Sequence, residues 1–251
     1  VSVRVAPLGA QLVLVLVEDR TEARRVDAVR RDFVANVSHE LKTPVGALSL
    51  LAEAVLSASD DPDAVRRFAS RMQKEAHRLT NLVQDLIDLS RVQIDAPLSA
   101  SAEKVRVAEV VADALGRSYE AAGARRIELV ADAEEDVVVR GDRTQLAAAL
   151  GNLVENAVNY SPDETRVAVT VKRSGDRVEI AVTDQGIGIP ERDLERIFER
   201  FYRVDPARSR ATGGTGLGLS IVKHIAATHG GEVAVWSSEG SGSTFTLKLP
   251  V

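Results

Sequence analysis

The feature that most constrains the fold is an apolar repeat of helical spacing in two consecutive segments. The first segment repeats apolar residues in steps of three and four at Val26, Val29, Phe33, Val37, Leu41, Val45, Leu48, Ala52 and Val55. The second repeats them at Val65, Phe68, Met72, Ala76, Leu79, Val83 and Leu86. Residues 59–62, Ser-Asp-Asp-Pro, separate the segments and are typical of a turn followed by a helix start. The pattern predicts a helical hairpin with one apolar face on each arm.

Two helices bury too little apolar surface to be stable alone, so the hairpin needs a partner. Self-association of residues 20–93 into a dimeric four-helix bundle is the interpretation that we favour. The alternative is a hairpin that docks on the C-terminal part of the same chain.

The N-terminal segment, residues 1–19, has the composition of β-structure. Its apolar residues include Val3, Val5 and the run Leu12 to Val17, with Pro7 and Gly9 as interruptions. Because two short strands do not make a stable sheet, we favour the remnant of a larger sheet domain over a self-contained hairpin.

After a short linker at residues 94–99, strand-like and helical segments alternate. Strands are predicted at 128–131, 137–140, 166–172, 178–183, 232–237 and 243–249, and helices at 107–122, 143–160 and 217–229. Residues 100–251 are therefore predicted to form an α/β sandwich, and the chain as a whole is of the α plus α/β class.

Composition excludes several kinds of site. The 251 residues contain no cysteine and only four histidines, which excludes disulfides and thiolate zinc sites and disfavours catalytic zinc. A net charge of −5 gives no basic face for nucleic acid. The longest apolar run is far shorter than the roughly 20 residues that span a bilayer.

One helical segment carries reactive side chains on its outer face. His39 lies roughly 200° around the helix from Val37 of the apolar stripe, and therefore faces solvent. Thr43, one turn later, shares that face, and Glu40 flanks it. Pro44 predicts a kink just after the histidine. An exposed imidazole is largely neutral and nucleophilic at pH 7, although a lone surface histidine is more often simply solvated.

A second group of polar residues lies on the helix predicted at 143–160. Asn152, Glu155, Asn156, Asn159 and Tyr160 recur at steps of three and four and share one face. Their side-chain oxygens suit Mg²⁺, which takes few protein ligands and keeps its waters and phosphates. A solvated polar face is the alternative.

Two glycine-rich motifs follow. Asp184-Gln-Gly-Ile-Gly-Ile-Pro190 comes after a strand, and an aspartate there can accept a hydrogen bond from an adenine amine. Gly213-Gly-Thr-Gly-Leu-Gly218 opens a helix, whose bare amides can bind phosphate. There is no Walker lysine motif, and the second glycine motif follows an arginine-rich loop, residues 203–210, rather than the strand that a dinucleotide fingerprint requires.

Together these motifs resemble those of the sensor histidine kinases of two-component systems. The string Ser-His39-Glu-Leu-Lys-Thr-Pro44 resembles their phosphoacceptor box, and the hairpin resembles their dimerisation and histidine-phosphotransfer domain. The motifs of residues 100–251 resemble the Bergerat-fold ATP-binding domain, which gyrase-type and Hsp90-type ATPases share. The likeness covers residues 20–251, and the segment at residues 13–22 resembles the last strand of a PAS sensor domain that leads into a signalling helix.

The resemblance implies a role for each matching residue. His39 would be phosphorylated, Glu40 would be its acid–base partner, and Thr43 would position water when the phosphorylated regulator is dephosphorylated. Asn156 would bind Mg²⁺, Asp184 would bind adenine, Thr244 would line the pocket floor, and Arg203 would face phosphate. The implied nucleotide-binding set is Asn152, Glu155, Asn156, Asn159, Tyr160, Asp184, Gly186, Gly188, Ile189, Tyr202, Arg203, Gly214, Thr215, Gly216, Leu217, Gly218 and Thr244. Asn159 departs from the family, which places a cationic residue there.

The expected function is that of a homodimeric kinase core using ATP and Mg²⁺, with a response-regulator receiver as its partner. It would be the cytoplasmic portion of a membrane-anchored protein whose anchor lies outside this chain. The alternatives are an ATPase that uses hydrolysis for conformational work and a dimeric scaffold with a degenerate nucleotide site.

Overall fold

The computed structural model describes residues 2–7, 13–19, 21–94, 103–133, 137–205 and 214–251. The chain divides into two compact units, Val1–Leu79 and Thr80–Val251. Most of the predicted linker, residues 95–99, lies outside the described residues, as do Gly213 and residues 206–210 of the arginine-rich loop.

The first unit contains a β-hairpin and most of a helical hairpin. Strands β1 (Ser2–Pro7) and β2 (Val13–Glu18) pair in antiparallel register, with Val3 opposite Val17. Helix α1 (Thr21–Ser57) is followed by α2 (Pro62–Ile94), whose residues from Thr80 onward belong to the second unit. Asp61 caps α2 because its carboxylate accepts the N–H groups of Asp63 and Ala64, at 3.1 and 3.0 Å. The predicted helical hairpin and its turn are confirmed.

Helix α1 is more apolar than one buried face requires. The half-buried side chains of Phe33, Val37 and Leu48 follow the predicted stripe. Val45, which belongs to the stripe, leaves 50% of its surface exposed, and Val34 and Leu56 beside the stripe leave 57% and 76% exposed. Helix α1 therefore carries exposed apolar surface in addition to its half-buried apolar side chains.

The second unit is an α/β sandwich. After the end of α2 it contains β3 (Glu103–Arg106), α3 (Val107–Ala124), β4 (Glu128–Ala133), β5 (Val138–Gly141), α4 (Arg143–Tyr160), β6 (Arg166–Ser174) and β7 (Arg177–Thr183). Two 3-10 helices (Glu191–Asp193 and Arg196–Phe198), α5 (Gly218–Thr228), β8 (Glu232–Ser238) and β9 (Gly242–Pro250) complete it.

The main sheet has the strand order β4-β6-β7-β9-β8, with β4 and β6 parallel and every other pair antiparallel. Alternate residues such as Val167, Val169 and Val171 are fully buried on the face that carries the helices. On the opposite face, Trp236 of edge strand β8 is 64% exposed. Strands β3 and β5 form a separate antiparallel pair.

None of the helices among the described residues has a stretch long and apolar enough to cross a bilayer.

Candidate functional site

The outer face of α1 presents the predicted reactive residues of the first unit. His39 and Thr43 are both exposed, as their helical spacing predicts, whereas Pro44 is buried. The helix is continuous through Pro44, from Thr21 to Ser57. The hydroxyl of Thr43 donates a hydrogen bond to the carbonyl oxygen of His39, at 3.2 Å. The two side chains therefore lie one turn apart on one solvent-facing surface.

Glu40 lies at the junction of the two helices of the hairpin. Its Oε2 is 3.5 Å from Nη2 of Arg78 on α2, and Nη1 of Arg78 is 3.7 Å from Oε2 of Glu75. The Glu40 side chain is only 21% exposed. The carboxylate next to His39 is therefore held by a cation on the second helix.

The second unit contains a cavity of about 470 Å³. The predicted residues that line it are Asn152, Glu155, Asn156, Asn159, Tyr160, Asp184, Gly188, Ile189, Tyr202, Arg203, Gly214, Thr215, Gly216 and Gly218. Residues separated by up to 66 positions in the sequence thus meet around one space.

Three predicted residues do not line this cavity. Gly186 and Leu217 are buried beside it. The prediction for Thr244 is wrong, because Ser243 and Phe245 line the cavity and the residue between them in a strand points to the other face. The Thr244 hydroxyl instead lies 3.0 Å from that of Thr183 on the neighbouring strand.

Helix α4 carries the asparagine cluster at its cavity-facing side. Asn152 donates through Nδ2 to the carbonyl of Ala148 at 2.9 Å. A Cβ on Gly218 would lie 2.5 Å from Oδ1 of Asn152, so a side chain at the start of α5 would displace the Asn152 amide. Asn159 hydrogen-bonds to the carboxyl group of Glu155. Partial desolvation of this carboxyl group raises the pKa of Glu155, although Glu155 as a whole is exposed. Asn159 therefore has a partner inside the cluster.

Both ends of α4 are anchored by buried or half-buried side chains. At the start, the Asp142 carboxylate caps the N–H groups of Thr144 and Gln145, at 2.7 and 3.1 Å. At the end, Arg125 donates to the carbonyls of Val158 and Ser161, both at 2.6 Å. These bonds fix the helix that presents the asparagines.

Asp184 lies at the end of β7 and is 7% exposed. Its Oδ1 accepts hydrogen bonds from the N–H groups of Gly186 (2.7 Å) and Ser243 (3.2 Å). Burial raises the pKa of Asp184, and these two bonds oppose the rise. Since both bonds go to Oδ1, Oδ2 is suited to accept from an amine in the cavity.

Tyr202 is held by the segment that contains the 3-10 helices. Its hydroxyl donates to Oδ1 of the buried Asp193 at 2.7 Å, and the guanidinium of Arg196 lies 4.3 Å from its ring centre. Arg203 follows at once, and its Nη2 donates to the carbonyl of Thr215 at 2.9 Å. The aromatic segment and the glycine-rich loop are thus connected at the cavity.

Several cavity residues were not predicted from the sequence. Asn81, Gln84, Asp85 and Asp88 of α2 line it, as do Arg117 and Ser118 of α3. On an isolated helix such residues cannot be distinguished from a solvated polar face, so no sequence signal separates them.

The donor set fits a magnesium nucleotide. Among the described residues, no three His, Asp or Glu side chains form a metal cluster. Mg²⁺ bound with a nucleotide needs few protein ligands, because phosphates and waters complete its coordination. Asn156, next to Glu155 on the cavity wall, can supply a side-chain oxygen, and Asp184 at another wall suits an exocyclic amine.

Comparison with known proteins identifies the family. Residues 29–94 match the His Kinase A (phospho-acceptor) domain, and residues 141–251 match the histidine kinase-, DNA gyrase B- and HSP90-like ATPase family. The chain is 32% identical to the mycobacterial sensor histidine kinase MprB, with a TM-score of 0.53 over 59% of this chain and 97% of that one. This chain belongs to the sensor histidine kinases.

Two further sensor histidine kinases are similar over most of this chain. The sensor-like histidine kinase SenX3 of Mycolicibacterium smegmatis is 53% identical over 240 residues, which cover 96% of this chain and 62% of SenX3. The histidine kinase AdeS of Acinetobacter baumannii has a TM-score of 0.67 at 25% identity, over 84% of this chain and 97% of AdeS. The chain therefore spans about three fifths of the length of SenX3.

Proposed function

We propose that this chain is the catalytic core of a two-component sensor histidine kinase. It would transfer the γ-phosphoryl group of ATP to His39 and pass it to an aspartate of a response-regulator receiver, which it would also help to dephosphorylate. The observation that carries the proposal is the combination of two features in one chain. One is a phosphoacceptor segment with an exposed histidine, and the other is a cavity that unites Asn156, Asp184 and Thr215.

The cavity residues divide the binding of ATP between them. Asp184 would accept a hydrogen bond from the adenine amine, and Asn156 would hold Mg²⁺. Bound Mg²⁺ supplies neutralisation of the charge on the phosphates. Arg203 would add a cation beside them. Asn159, where the family places a cationic residue, instead holds Glu155 through a hydrogen bond.

His39 supplies the nucleophile. A lone pair on one imidazole nitrogen forms the nitrogen–phosphorus bond while the bond from the γ-phosphorus to the ADP oxygen breaks. The proton of the other ring nitrogen would be shared with Glu40, which Arg78 holds in place. Thr43, on the same face, would orient the water that hydrolyses the phosphoaspartate of a docked receiver.

A second copy of the chain is proposed as the partner of the exposed apolar surface of α1. Val34, Val45 and Leu56 would be covered if residues 20–93 form a dimeric four-helix bundle. The remaining proposed domains are residues 1–19 as the end of a PAS-like sensor domain, a linker at 94–99 and an ATP-binding domain at 100–251. Membrane anchoring would come from a segment outside this chain.

The deciding experiment incubates the protein with γ-labelled ATP and tests the stability of the label. A label that is lost in acid and kept in base identifies phosphohistidine. His39→Gln should abolish it and leave nucleotide affinity within a few-fold. His77→Gln is the matched control, because His77 is also exposed and lies on α2 of the same hairpin.

Each alternative predicts a different outcome. An ATPase that uses hydrolysis for conformational work releases labelled phosphate without labelling the protein. A scaffold with a degenerate site binds no nucleotide. Acid-labile label that persists in His39→Gln contradicts the assignment of the phosphoacceptor.

A further inference from the structure

A carboxylate of α2 makes direct contact with the glycine-rich loop of the nucleotide cavity. Oδ2 of Asp85 lies 2.5 Å from Oγ1 of Thr215, and both residues belong to the second unit. A hydroxyl bound to a carboxylate is a charge-assisted hydrogen bond, roughly twice as strong as a neutral one. This contact therefore has the strength to fix the orientation of the Thr215 side chain.

Thr215 also contacts two other parts of the site. Its hydroxyl oxygen accepts the N–H of Leu217 at 3.2 Å, immediately before α5 begins. Its carbonyl accepts from Arg203 at 2.9 Å. Because a hydroxyl has a single proton to donate, Thr215 cannot donate to Asp85 and to a phosphate oxygen at the same time.

Asp85 is also an unfavourable neighbour for a polyphosphate. The pKa of Asp85 is raised to about 6, mainly by burial and to a smaller extent by the charges of Glu155 and Asp88, while the hydrogen bond from Thr215 opposes the rise. At neutral pH the group is therefore an anion in a poorly solvated place, beside two more acids on the cavity wall. A phosphate chain entering beside it would meet repulsion.

We propose that Asp85 is a positioning residue that holds the Thr215 loop through the Thr215 hydroxyl, and that a phosphate oxygen of the nucleotide competes with Asp85 for that hydroxyl. The inference rests on the proposed nucleotide site. Nucleotide binding would then release the end of α2 from the loop, so that occupancy of the cavity is coupled to α2.

The test measures the affinity of the full chain for Mg·ADP by calorimetry at neutral pH. Asp85→Asn, which keeps the shape and weakens the bond, should bind Mg·ADP about threefold to tenfold more tightly. Asp88→Asn removes the same charge from the same wall, but Oδ1 of Asp88 accepts a hydrogen bond from Nε2 of Gln84 (2.9 Å) and not from Thr215. We expect this variant to tighten binding of Mg·ADP less than Asp85→Asn does, because it removes a charge but no hydrogen bond to the loop.

A second variant separates the hydrogen bond from the charge. In a Thr215→Val background, Asp85→Asn should have no more effect than Asp88→Asn, because the contact is already absent. If Asp85→Asn and Asp88→Asn tighten the binding of Mg·ADP equally in the wild-type background, the effect is due to charge alone and the proposal is overturned. Weaker binding by Asp85→Asn would also overturn it.

Hydrogen exchange gives a readout that does not depend on activity. Without nucleotide, Asp85→Asn should accelerate exchange of amides in residues 214–228, and with saturating Mg·ADP the variant and the wild type should match. If the wild type binds no Mg·ADP, the proposed nucleotide site fails. If the wild type binds Mg·ADP and Asp85→Asn changes neither this affinity nor the hydrogen exchange, only the proposed role of Asp85 is contradicted.

Discussion

The backbone N–H of Asp142 donates a hydrogen bond of 3.1 Å to Nε2 of His229. Nδ1 of the same ring lies 2.8 Å from the carbonyl oxygen of Ile225. A ring that accepts at Nε2 and donates at Nδ1 is neutral. Burial lowers the pKa of His229, against smaller opposing effects of the Ile225 carbonyl and the Asp142 carboxylate. A buried neutral histidine thus supports the capping residue of α4.

The first prediction concerns pH. The pKa of His229 is lower in the folded than in the unfolded protein, so its contribution to stability is complete above about pH 6.5. That contribution is lost as the pH falls towards the folded-state pKa. His229→Gln should lower the free energy of unfolding by roughly 1–3 kcal/mol at pH 8. When unfolding by urea is measured, the free energy of unfolding of His229→Gln should differ less from that of the wild type at pH 5.5 than at pH 8. A constant difference between these two pH values would contradict the prediction.

The second prediction compares two glycines. A Cβ on Gly186 would lie 2.7 Å from both Oδ1 of Asp184 and the carbonyl of Tyr160, whereas one on Gly116 of α3 meets nothing within 4 Å. Gly186→Ala should therefore displace Asp184 and weaken Mg·ADP binding by about tenfold or more. Gly116→Ala should leave binding unchanged and stabilise the helix by up to about 1 kcal/mol. Calorimetry and thermal unfolding of both variants measure the contrast.

The third prediction tests the proposed magnesium ligand. Asn156→Asp should abolish phosphohistidine formation while the circular dichroism spectrum and the unfolding transition stay close to those of the wild type. The reason is that Asn156 lies half-buried on the cavity wall, so the added charge perturbs Mg²⁺ and phosphate rather than the core. Near-normal turnover at saturating Mg²⁺ would show that the ligand lies elsewhere.

The fourth prediction separates two roles of Thr43. Thr43→Ala should preserve phosphohistidine formation and slow dephosphorylation of the partner regulator, because the lost hydroxyl would orient water only in the second reaction. The alternative is that the Thr43 hydroxyl has only a local structural role, since it donates a hydrogen bond to the His39 carbonyl. Both rates are measured on one preparation with labelled substrate.

A matched control exists on the same helix. Ser49 is exposed and donates to the carbonyl of Val45, four residues earlier, at 3.2 Å, as Thr43 does to His39. Ser49→Ala should change neither phosphohistidine formation nor dephosphorylation of the regulator. Thr43→Ser should dephosphorylate the regulator faster than Thr43→Ala does. Equal losses of both activities in Thr43→Ala would assign the hydroxyl a purely structural role.

Local signals made much of the fold predictable. Helix α4 begins and ends where the sequence places it, because Asp142 is a favourable N-cap and a serine–proline pair follows Tyr160. Strand β3 was missed because only one of its four residues, Val105, is buried. The order of the five strands depends on pairing between segments that are distant in the sequence, and local periodicity does not predict this pairing.

The site was predictable where a residue type and its motif coincide, and not elsewhere. Asp85 is polar on an amphipathic helix and therefore looks solvated until the tertiary fold brings it to Thr215. Thr244 was misplaced because alternation in β9 assigns it to the face opposite Ser243 and Phe245. Which of two neighbouring residues faces a cavity depends on strand register, and the motif alone does not fix that register.

The anchoring of α4 has a consequence for how quickly nucleotide can come and go. Arg125 fixes the carbonyls at one end and the pair Asp142–His229 fixes the other, so the helix has few low-energy ways to open. If nucleotide replaces Asp85 on the Thr215 hydroxyl, as proposed, exchange of the ligand requires rearrangement at Thr215, whereas α4 can keep its hydrogen bonds. The dissociation rate of the nucleotide would then depend on the contacts of Thr215 rather than on those of α4.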